Sequence, residues 1–168
     1  GEGFLPEVCS DWESASANLT SEVRHVYLRS GIVLSGTVGA LGKMLLPFKM
    51  GVGGPMGSGK QWMSWISLDD EIYAIHHLLM ETGSKGVYNL TAPNPVRQKG
   101  FAKTLGRVLR RPAFAPLPGF VIKILFGEMG VKLTLESQKV LPNRLLEEGY
   151  EFLHPELEPA LQDTLGLW

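Results

Sequence analysis

Residues 23–34, VRHVYLRSGIVL, decide the fold class of this chain. β-branched and aromatic residues dominate this stretch, and such a nearly continuous hydrophobic run is typical of a strand buried on both faces of a parallel sheet. Gly31 and Gly36 then let the chain leave the strand. The pattern predicts one buried parallel strand over residues 23–34.

A helix and a second strand complete a crossover unit downstream. Residues 69–82 predict a helix, which Ser67 and Asp70 begin as a capping pair and Gly83 ends. Its apolar face consists of Ile72, Ile75, Leu78 and Leu79. The stretch GVYNL, residues 86–90, predicts the second strand. A helix between two strands at this spacing favours a right-handed parallel unit and an α/β fold.

Further helices are predicted on both sides of this unit. Apolar spacing predicts helices before the second strand and, between proline and glycine signals, four more in the tail. Their ranges are 4–18, 39–48, 97–109, 119–127, 135–141 and 156–165. The change from strand-bearing to helix-bearing sequence near Pro95 divides the chain into residues 1–95 and a mostly helical cap of residues 96–168.

A glycine-rich segment precedes the crossover helix. Residues 49–70, KMGVGGPMGSGKQWMSWISLDD, contain five glycines followed by Gln61, Trp62 and Trp65. An open backbone beside flat rings suits a groove for a planar or phosphorylated ligand. A surface loop that leads into a strand with two packed tryptophans explains the same pattern, and both interpretations stay open.

The same segment nearly matches a phosphate-binding loop. Gly54, Gly59 and Lys60 have the spacing G-x-x-x-x-G-K, but Gln61 replaces the Ser or Thr that binds magnesium. A strand-like QWMSWIS follows where that loop requires a helix. The segment therefore does not predict an ATPase.

Composition limits the partners. The 168 residues are 44% hydrophobic and 20% charged with a net charge of -1, which fits one soluble globular domain or part of a larger protein. The chain has 16 Lys and Arg against 17 Asp and Glu, so we expect no nucleic acid partner. Lysines interrupt every long apolar run, and we expect no membrane partner. The adjacent His76 and His77 point apart on a helix, and no metal site is expected.

Four motifs together carry a family resemblance. They are LRSGIVLSG at 28–36, GGPMGSGKQWMSWISLDD at 53–70, GVYNLTAPNPV at 86–96 and QKVLPNRLLEEGYEF at 138–152. In this combination they resemble the C-terminal half of an atypical extended short-chain dehydrogenase/reductase. The group is that of predicted NAD(P)-dependent nucleoside-diphosphate-sugar epimerases, and the resemblance covers residues 4–165.

The resemblance implies the C-terminal part of a Rossmann-like fold with a mostly helical substrate-binding cap. Residues 1–95 then belong to the Rossmann-like domain, with a glycine-rich substrate loop at 51–65, and residues 96–168 form the cap. No G-x-x-G-x-x-G turn follows a strand, so the N-terminal cofactor half is expected to lie outside this chain. NADP or NAD is expected in the intact protein, and none is expected to bind this chain alone.

The resemblance also assigns site residues. The cofactor side is implied for the end of the first strand: Arg29, Ser30, Gly31 and Val33. The substrate side is implied for the glycine-rich segment: Gly57, Ser58, Lys60, Gln61, Trp62 and Trp65.

Two departures from the family pattern bear on catalysis and on the substrate. Aligning the acid that ends the catalytic helix with Glu13 puts Leu5 and Cys9 at the Tyr and Lys positions, where neither supplies the chemistry. Met63 stands where the family has a phosphate-gripping arginine, and Ser67 replaces a histidine. The catalytic residues are therefore unknown.

The sequence thus leaves two functions open. The first is the substrate-binding half of an NAD(P)-dependent epimerase or oxidoreductase that acts on a sugar-nucleotide-like or other small carbonyl or hydroxyl substrate. The alternative is a non-catalytic NADP-binding sensor or protein-interaction module. Besides the small molecule, the expected partner is the N-terminal half, and a homodimer stays open. The expected location is the cytoplasm in a bacterium and an organellar matrix or stroma in a eukaryote.

Overall fold

The computed structural model describes residues 4–15, 23–117, 120–124, 127 and 137–167. The helices are α1 Phe4–Ser14, α2 Gly39–Lys49, α3 Leu68–Met80, α4 Gln98–Val108, α5 Asn143–Glu147 and α6 Leu157–Leu165. The strands are β1 Val26–Ser30, β2 Ile32–Leu34, β3 Trp62–Met63, β4 Trp65–Ser67, β5 Gly86–Leu90 and β6 Val96–Arg97.

The strands pair as an α/β fold requires. β1 runs parallel to β5, from Val26 opposite Gly86 to Ser30 opposite Leu90, and β2 runs parallel to β4. β3 and β6 form a short antiparallel pair. The predicted α/β class is confirmed, and β5 has the bounds that the sequence predicts.

The predicted strand over residues 23–34 changes partner at Gly31. The Gly31 amide donates to the Leu90 carbonyl at 2.9 Å, whereas the next amide, of Ile32, donates to the Ser64 carbonyl at 2.9 Å. Ala92, beyond the end of β5, donates to the carbonyl of Trp65 at 2.6 Å. β4 therefore hydrogen-bonds to both segments where β1 and β5 separate.

The prediction of a fully buried strand is wrong for β1. Arg29 and Ser30 are exposed, and Leu28 keeps 41% of its surface exposed. Within the described part of the chain β1 pairs only with β5, so its other edge and part of its faces stay open. Parallel strands are normally covered on both sides, and this cover is absent around the described part of β1.

Two apolar clusters form the core. The first lies among α2, α4 and α6 and contains the fully buried Trp65 and Phe48. The second joins α3 to β4 and β5, with Ile66 and Tyr88 fully buried. The first cluster takes residues from both sides of position 95, and the division of the chain there stays a prediction.

The tail is less helical than predicted. Residues 137–141 form no helix and lie beside β3, where the Gln138 amide donates to the Trp62 carbonyl at 3.4 Å and the Ser64 hydroxyl donates to the Gln138 carbonyl at 2.8 Å. The rest of that predicted helix, residues 135–136, lies outside the described residues. So do residues 16–18 of the first predicted helix and residues 119, 125 and 126 of another, whose residues 120–124 are helical.

A buried carboxylate at the start of α3 anchors the segment 150–154. The Ser67 hydroxyl accepts from the Asp70 amide at 3.1 Å, which confirms the predicted cap. The carboxylate of Asp70, with no exposed surface, accepts from the amides of Leu153 and His154 at 2.8 and 2.9 Å. It also accepts from the Ser67 and Tyr150 hydroxyls at 2.8 and 3.3 Å.

Tyr150 remains a hydrogen-bond donor in this cluster. Burial, together with the negative charge of Asp70, raises the pKa of the Tyr150 hydroxyl far above its ordinary value of 10.0. The protonated hydroxyl therefore continues to donate to Asp70 at physiological pH.

We expect Asp70→Ala to lower the free energy of unfolding by about 3 kcal/mol, because buried donors from two amides and two hydroxyls would lose their acceptor. Urea unfolding followed by circular dichroism measures the change. Asp69→Ala is the matched control, since Asp69 lies in the same helical turn but is exposed. Equal losses in the two variants would contradict the anchoring role of Asp70.

Candidate functional site

A cavity of about 630 Å³ lies where β1 and β5 end and the chain passes into β2. Its lining consists of Arg29, Ser30, Gly31, Ile32, Ala40, Met44, Met56, Trp62, Met63, Ser64, Asn89, Thr91, Gln138 and Val140. Ligands of open α/β sheets bind beyond the carboxyl ends of the strands. The position and volume of the cavity therefore fit a small-molecule site.

Gly31 lets three segments meet at the floor of this cavity. A Cβ atom built on Gly31 would lie 2.7 Å from the Ser64 carbonyl oxygen and 2.9 Å from the Thr91 methyl carbon. Such a contact with backbone cannot be relieved by turning a side chain. The absence of a side chain at this position is therefore required where β4 enters between the separating strands.

Arg29 reaches the cavity from β1 but is already paired. Its Nε and Nη2 donate to the two carboxylate oxygens of Glu13 on α1 at 2.8 and 2.9 Å. This two-bond contact is the strong form of an arginine–carboxylate pair. It fixes α1 to the end of β1 and orients the guanidinium group at the rim of the cavity.

Ser30 connects the cavity to an acid of α3. Its hydroxyl donates to Glu71 Oε1 at 2.5 Å, while Glu71 Oε2 is buried and has no hydrogen-bond partner among the described residues. Burial raises the pKa of Glu71 above its ordinary value, although the hydrogen bond from Ser30 opposes this change. The Ser30 hydroxyl is thus oriented from behind the cavity wall.

Asn89 and Thr91 supply further polar groups at the end of β5. The Asn89 side-chain amide donates to the Leu141 carbonyl at 3.2 Å, and the Thr91 hydroxyl donates to the Val140 carbonyl at 3.4 Å. These bonds hold the non-helical segment of residues 137–141 against the mouth of the cavity. The sequence analysis missed both residues, although their place at the end of a predicted parallel strand was a signal for them.

The two tryptophans of the glycine-rich segment have different environments. Trp62 is half-buried and lines the cavity, whereas Trp65 has no exposed surface and donates from Nε1 to the Asn94 carbonyl at 3.1 Å. Side chains of a strand alternate between its two faces, so residues three positions apart, such as Trp62 and Trp65, point to opposite faces. One ring therefore lies at the cavity and the other in the core, and a ligand groove beside Trp62 stays a prediction.

The glycines of the glycine-rich loop pack against protein, and the loop reaches the cavity through Met56 and the residues that follow Gln61. A Cβ atom on Gly54 would lie 1.8 Å from the Ala115 carbonyl oxygen. Gln61 is buried and donates from Nε2 to the Met56 carbonyl at 2.9 Å, and the Met56 amide donates to Gln98 Oε1 at 2.8 Å. The loop is thus attached to the start of α4.

The cavity brings together four of the residues that the resemblance assigns to the site: Arg29, Ser30, Gly31 and Trp62. Six others do not line it: Val33, Gly57, Ser58, Lys60, Gln61 and Trp65. Val33 packs against the second apolar cluster, and Ser58 hydrogen-bonds within the loop to Gln61 and to the Lys60 amide. Contact of any of these residues with a ligand stays a prediction.

The described residues that line the cavity include no tyrosine, lysine or acid. Tyr88 and Tyr150 are buried away from the cavity, where their hydroxyls form hydrogen bonds with Arg144 and Asp70. Cys9 is an exposed free thiol on α1. A group of three side chains that could hold a metal ion does not occur in the described part of the chain. None of its helices is long and apolar enough to cross a membrane.

Comparisons with known proteins agree with this architecture. A family model described as "Domain of unknown function (DUF1731)" matches residues 117–164. The Arabidopsis thaliana "Epimerase family protein SDR39U1 homolog, chloroplastic" is 45% identical over 162 residues, which are 96% of this chain and 46% of that protein. The chain spans about half the length of the curated relatives it matches.

Solved structures also match this chain over part of their length. The crystal structure of human epimerase family protein SDR39U1 (isoform 2) with NADPH is 41% identical, with a TM-score of 0.88 over 95% of this chain and 54% of that chain. A nucleoside-diphosphate sugar epimerase from Corynebacterium glutamicum is 29% identical, with a TM-score of 0.75 over 99% of this chain and 32% of that one. The predicted resemblance and fold are confirmed: the chain is similar to the C-terminal portion of these epimerase family proteins.

The different burial of the two tryptophans gives a stability prediction. We expect Trp65→Ala to lower the free energy of unfolding by about 3 to 5 kcal/mol, the usual cost of emptying a core site of this size. Trp62→Ala should cost much less and leave a cooperative melt, because part of the ring already faces solvent. Thermal and urea unfolding of the two variants measure the difference. Loss of the cooperative transition in Trp62→Ala would show that Trp62 is also a core residue.

The raised pKa of Glu71 predicts a pH-dependent change in stability. The folded protein binds the Glu71 proton more tightly than the unfolded chain, so ionisation costs folding free energy once the pH exceeds 4.5. Glu71→Gln should therefore raise the free energy of unfolding at pH 7, and this gain should disappear towards pH 4. Urea unfolding at several pH values tests this, with exposed Glu151→Gln as control. A gain that does not depend on pH would contradict the argument.

Proposed function

We propose that the intact protein is an NAD(P)-dependent oxidoreductase of the epimerase type and that this chain supplies its substrate-binding half. The observation that carries the proposal is the cavity at the carboxyl ends of β1 and β5, which combines apolar walls with polar groups at the strand ends. The similar human protein whose structure contains NADPH supports the choice of cofactor.

The cofactor side of the proposed site is the end of β1. Gly31 offers a flat backbone surface there, because any side chain would collide with Ser64 and Thr91. Arg29 and Ser30 flank it, and each is held in place by an acid, Glu13 or Glu71. A nicotinamide ring, which transfers hydride when bound, fits beside such a surface. The chain's own residues then position the ring.

The substrate side is the wall formed by β3 and the non-helical segment 137–141. Trp62 provides a flat apolar surface, and Asn89, Thr91 and Gln138 provide hydrogen-bonding groups. These groups suit a sugar-nucleotide-like substrate or another small carbonyl or hydroxyl compound. The proton donor that the reaction requires is not assigned to a residue of this chain, because Leu5 and Cys9 occupy the positions that correspond to the family's Tyr and Lys.

The presence of Leu5 and Cys9 at the two catalytic positions favours a second candidate function. A protein that binds NADP through its other half without a Tyr and Lys pair can act as a sensor of the cofactor or as an interaction module. A sensor would bind the small molecule and the N-terminal half at the same sites as the oxidoreductase. A homodimer is compatible with either function. A bacterial protein would act in the cytoplasm, while the chloroplastic name of the Arabidopsis relative supports a stroma in plants.

The test is incubation of the full-length protein with NADPH and with panels of carbonyl compounds and sugar nucleotides. We expect oxidation of NADPH, or isomerisation of a sugar nucleotide with bound cofactor, in at least one reaction. Tight NADPH binding without turnover across the panel would favour the sensor. Absence of NADPH binding to the full-length protein would contradict both functions.

The isolated 168-residue chain is the control for the division of roles. The pyrophosphate of a dinucleotide is bound at the first helix of the Rossmann half, and the strand-end contacts alone do not offset an ordering cost of about 4 kcal/mol or more. Calorimetric titration of the isolated chain with NADH and NADPH should therefore give no micromolar binding. Micromolar affinity would place the cofactor site within this chain.

A further inference from the structure

An acid stands directly behind one hydroxyl group of the cavity wall. Ser30 lines the cavity, and its hydroxyl donates to Glu71 Oε1 at 2.5 Å. Glu71 does not line the cavity itself and lies in the first turn of α3, which packs against β2 and β4. Ser30 therefore connects a carboxyl group outside the cavity with any ligand that occupies it.

The second carboxyl oxygen of Glu71 has no structural use among the described residues. Oε2 is buried there without a hydrogen-bond partner, and none of their ion pairs includes Glu71. Most buried polar atoms in proteins are paired, so this one calls for another explanation. A glutamine amide would accept the same bond from Ser30 without the cost of burying a charge. What only the acid can do is bind and release a proton.

Burial favours the protonated form of this acid. It raises the pKa of Glu71 above its ordinary value of 4.5, and the hydrogen bond from Ser30 opposes this change without cancelling it. A raised pKa brings a carboxyl group closer to the pH at which it can both release and take up a proton. The environment of Glu71 therefore suits proton transfer.

The charges around Glu71 do not remove this effect. The two strands that pack on α3 carry no charged side chain. Arg29 of β1 is paired with Glu13, and the neighbouring Asp70 on α3 is itself an acid. The charge of Glu71 contributes to the raised pKa of Tyr150, whose hydroxyl therefore stays protonated. Within the described part of the chain, no cation forms an ion pair with Glu71.

The place of Ser30 fits contact with a reacting group. It is the last residue of β1 and precedes Gly31, whose bare backbone is the proposed surface for the nicotinamide ring. A hydroxyl has one donor and two acceptor positions, and the bond to Glu71 uses only the donor. A substrate oxygen in the cavity can therefore exchange a hydrogen bond with Ser30 while Glu71 keeps its own bond to the same hydroxyl.

We propose that Ser30 and Glu71 form a proton relay to the reacting oxygen of the substrate. The proposal rests on the proposed function and supplies the proton donor that Leu5 and Cys9 do not provide. When a carbonyl compound is reduced, its carbon receives hydride from bound NADPH and its oxygen takes the proton of the Ser30 hydroxyl. That hydroxyl takes the Glu71 proton in turn, and the resulting carboxylate regains a proton from solvent. Ser30 is the catalytic residue of the relay, and Glu71 acts through it.

The test follows NADPH oxidation by the full-length protein with 4-nitrobenzaldehyde and methylglyoxal as carbonyl probes. Glu71→Gln and Ser30→Ala should each lower kcat about 100-fold or more, while the KM for the probe and the affinity for NADPH change little. Ser30→Thr, which keeps the hydroxyl, should restore part of the rate. Exposed Glu151→Gln and Ser14→Ala are the matched controls and should change nothing.

The pH profile separates proton transfer from a structural role. The protonated acid is the donor in reduction, so kcat of the wild type should fall as the pH rises through the pKa of Glu71. This fall should be absent in Glu71→Gln. Because that variant is expected to be more stable at pH 7, unfolding cannot explain its loss of rate.

The pKa of Glu71 gives a readout that does not depend on turnover. Carboxyl carbon NMR of the full-length protein without NADPH follows its titration, and the resonance missing from Glu71→Gln identifies the residue. The bond from Ser30 lowers this pKa, so Ser30→Ala should raise it further, whereas Ser30→Thr should leave it near the wild-type value.

Two results would overturn the relay and leave the proposed oxidoreductase standing. One is wild-type kcat in Glu71→Gln or Ser30→Ala of a protein that reduces either probe. The other is an unchanged pKa of Glu71 in Ser30→Ala. A wild-type protein that binds NADPH but reduces neither these probes nor any compound of the wider panel would instead contradict the proposed function, and the relay with it.

Discussion

The close approach of Gly31 to the Ser64 carbonyl is the constraint on which the candidate site depends. At this point the strand that began as β1 leaves β5 and takes β4 as its new neighbour. Two parallel strands that separate leave unpaired backbone groups, and β4 satisfies them on both sides. The cavity lies where this separation occurs, so the same backbone contact that completes the sheet also creates the space for a ligand.

Two carboxylates, the buried Asp70 and the exposed Glu148, hold the wall of that space in place from a distance. Asp70 attaches the segment 150–154 to the start of α3. Nearer the wall, Glu148 accepts from the hydroxyls of Ser84 and Tyr88, while Arg144 stacks on the Tyr88 ring at 4.0 Å. Burial alone would raise the pKa of Glu148, but these two hydrogen bonds and the charge of Arg144 lower it. The region around α5 is thus fixed by ionised groups with several partners each, in addition to the packing of Leu145 in the second apolar cluster.

The non-helical segment 137–141 links these anchors to the site. It lies beside β3 through hydrogen bonds to Trp62 and Ser64, and its neighbour α5 is held to β5 by Arg144, which donates to the carbonyls of Val87 and Lys85 at 2.8 Å. Positions fixed by packing and hydrogen bonds hold functional groups more accurately than free loops. Trp62, Gln138 and Val140 therefore line the cavity from a wall that these hydrogen bonds support.

The sequence by itself determined the elements whose signals are local. The α/β class, the bounds of β5 and the Ser67 cap of α3 follow from hydrophobic spacing and from hydrogen bonds between residues a few positions apart. These signals depend on neighbours along the chain, so no knowledge of the tertiary structure was required. The resemblance in four motifs added a similarity to epimerase family proteins, which the comparisons confirm, although a resemblance assigns roles by position and not by contact.

The tertiary structure alone decided which residues of those motifs face the cavity. Trp62 and Trp65 carry the same chemical signal, and only the pairing of their strands places one ring at the cavity and the other in the core. The glycines of the loop suggested an open groove, but the Ala115 backbone fills the space beside Gly54. Residues 137–141 have a helical apolar spacing, yet they form no helix and instead bond to a strand 75 residues earlier in the chain. Contacts across such separations leave no local pattern, which is why spacing and composition could not show them.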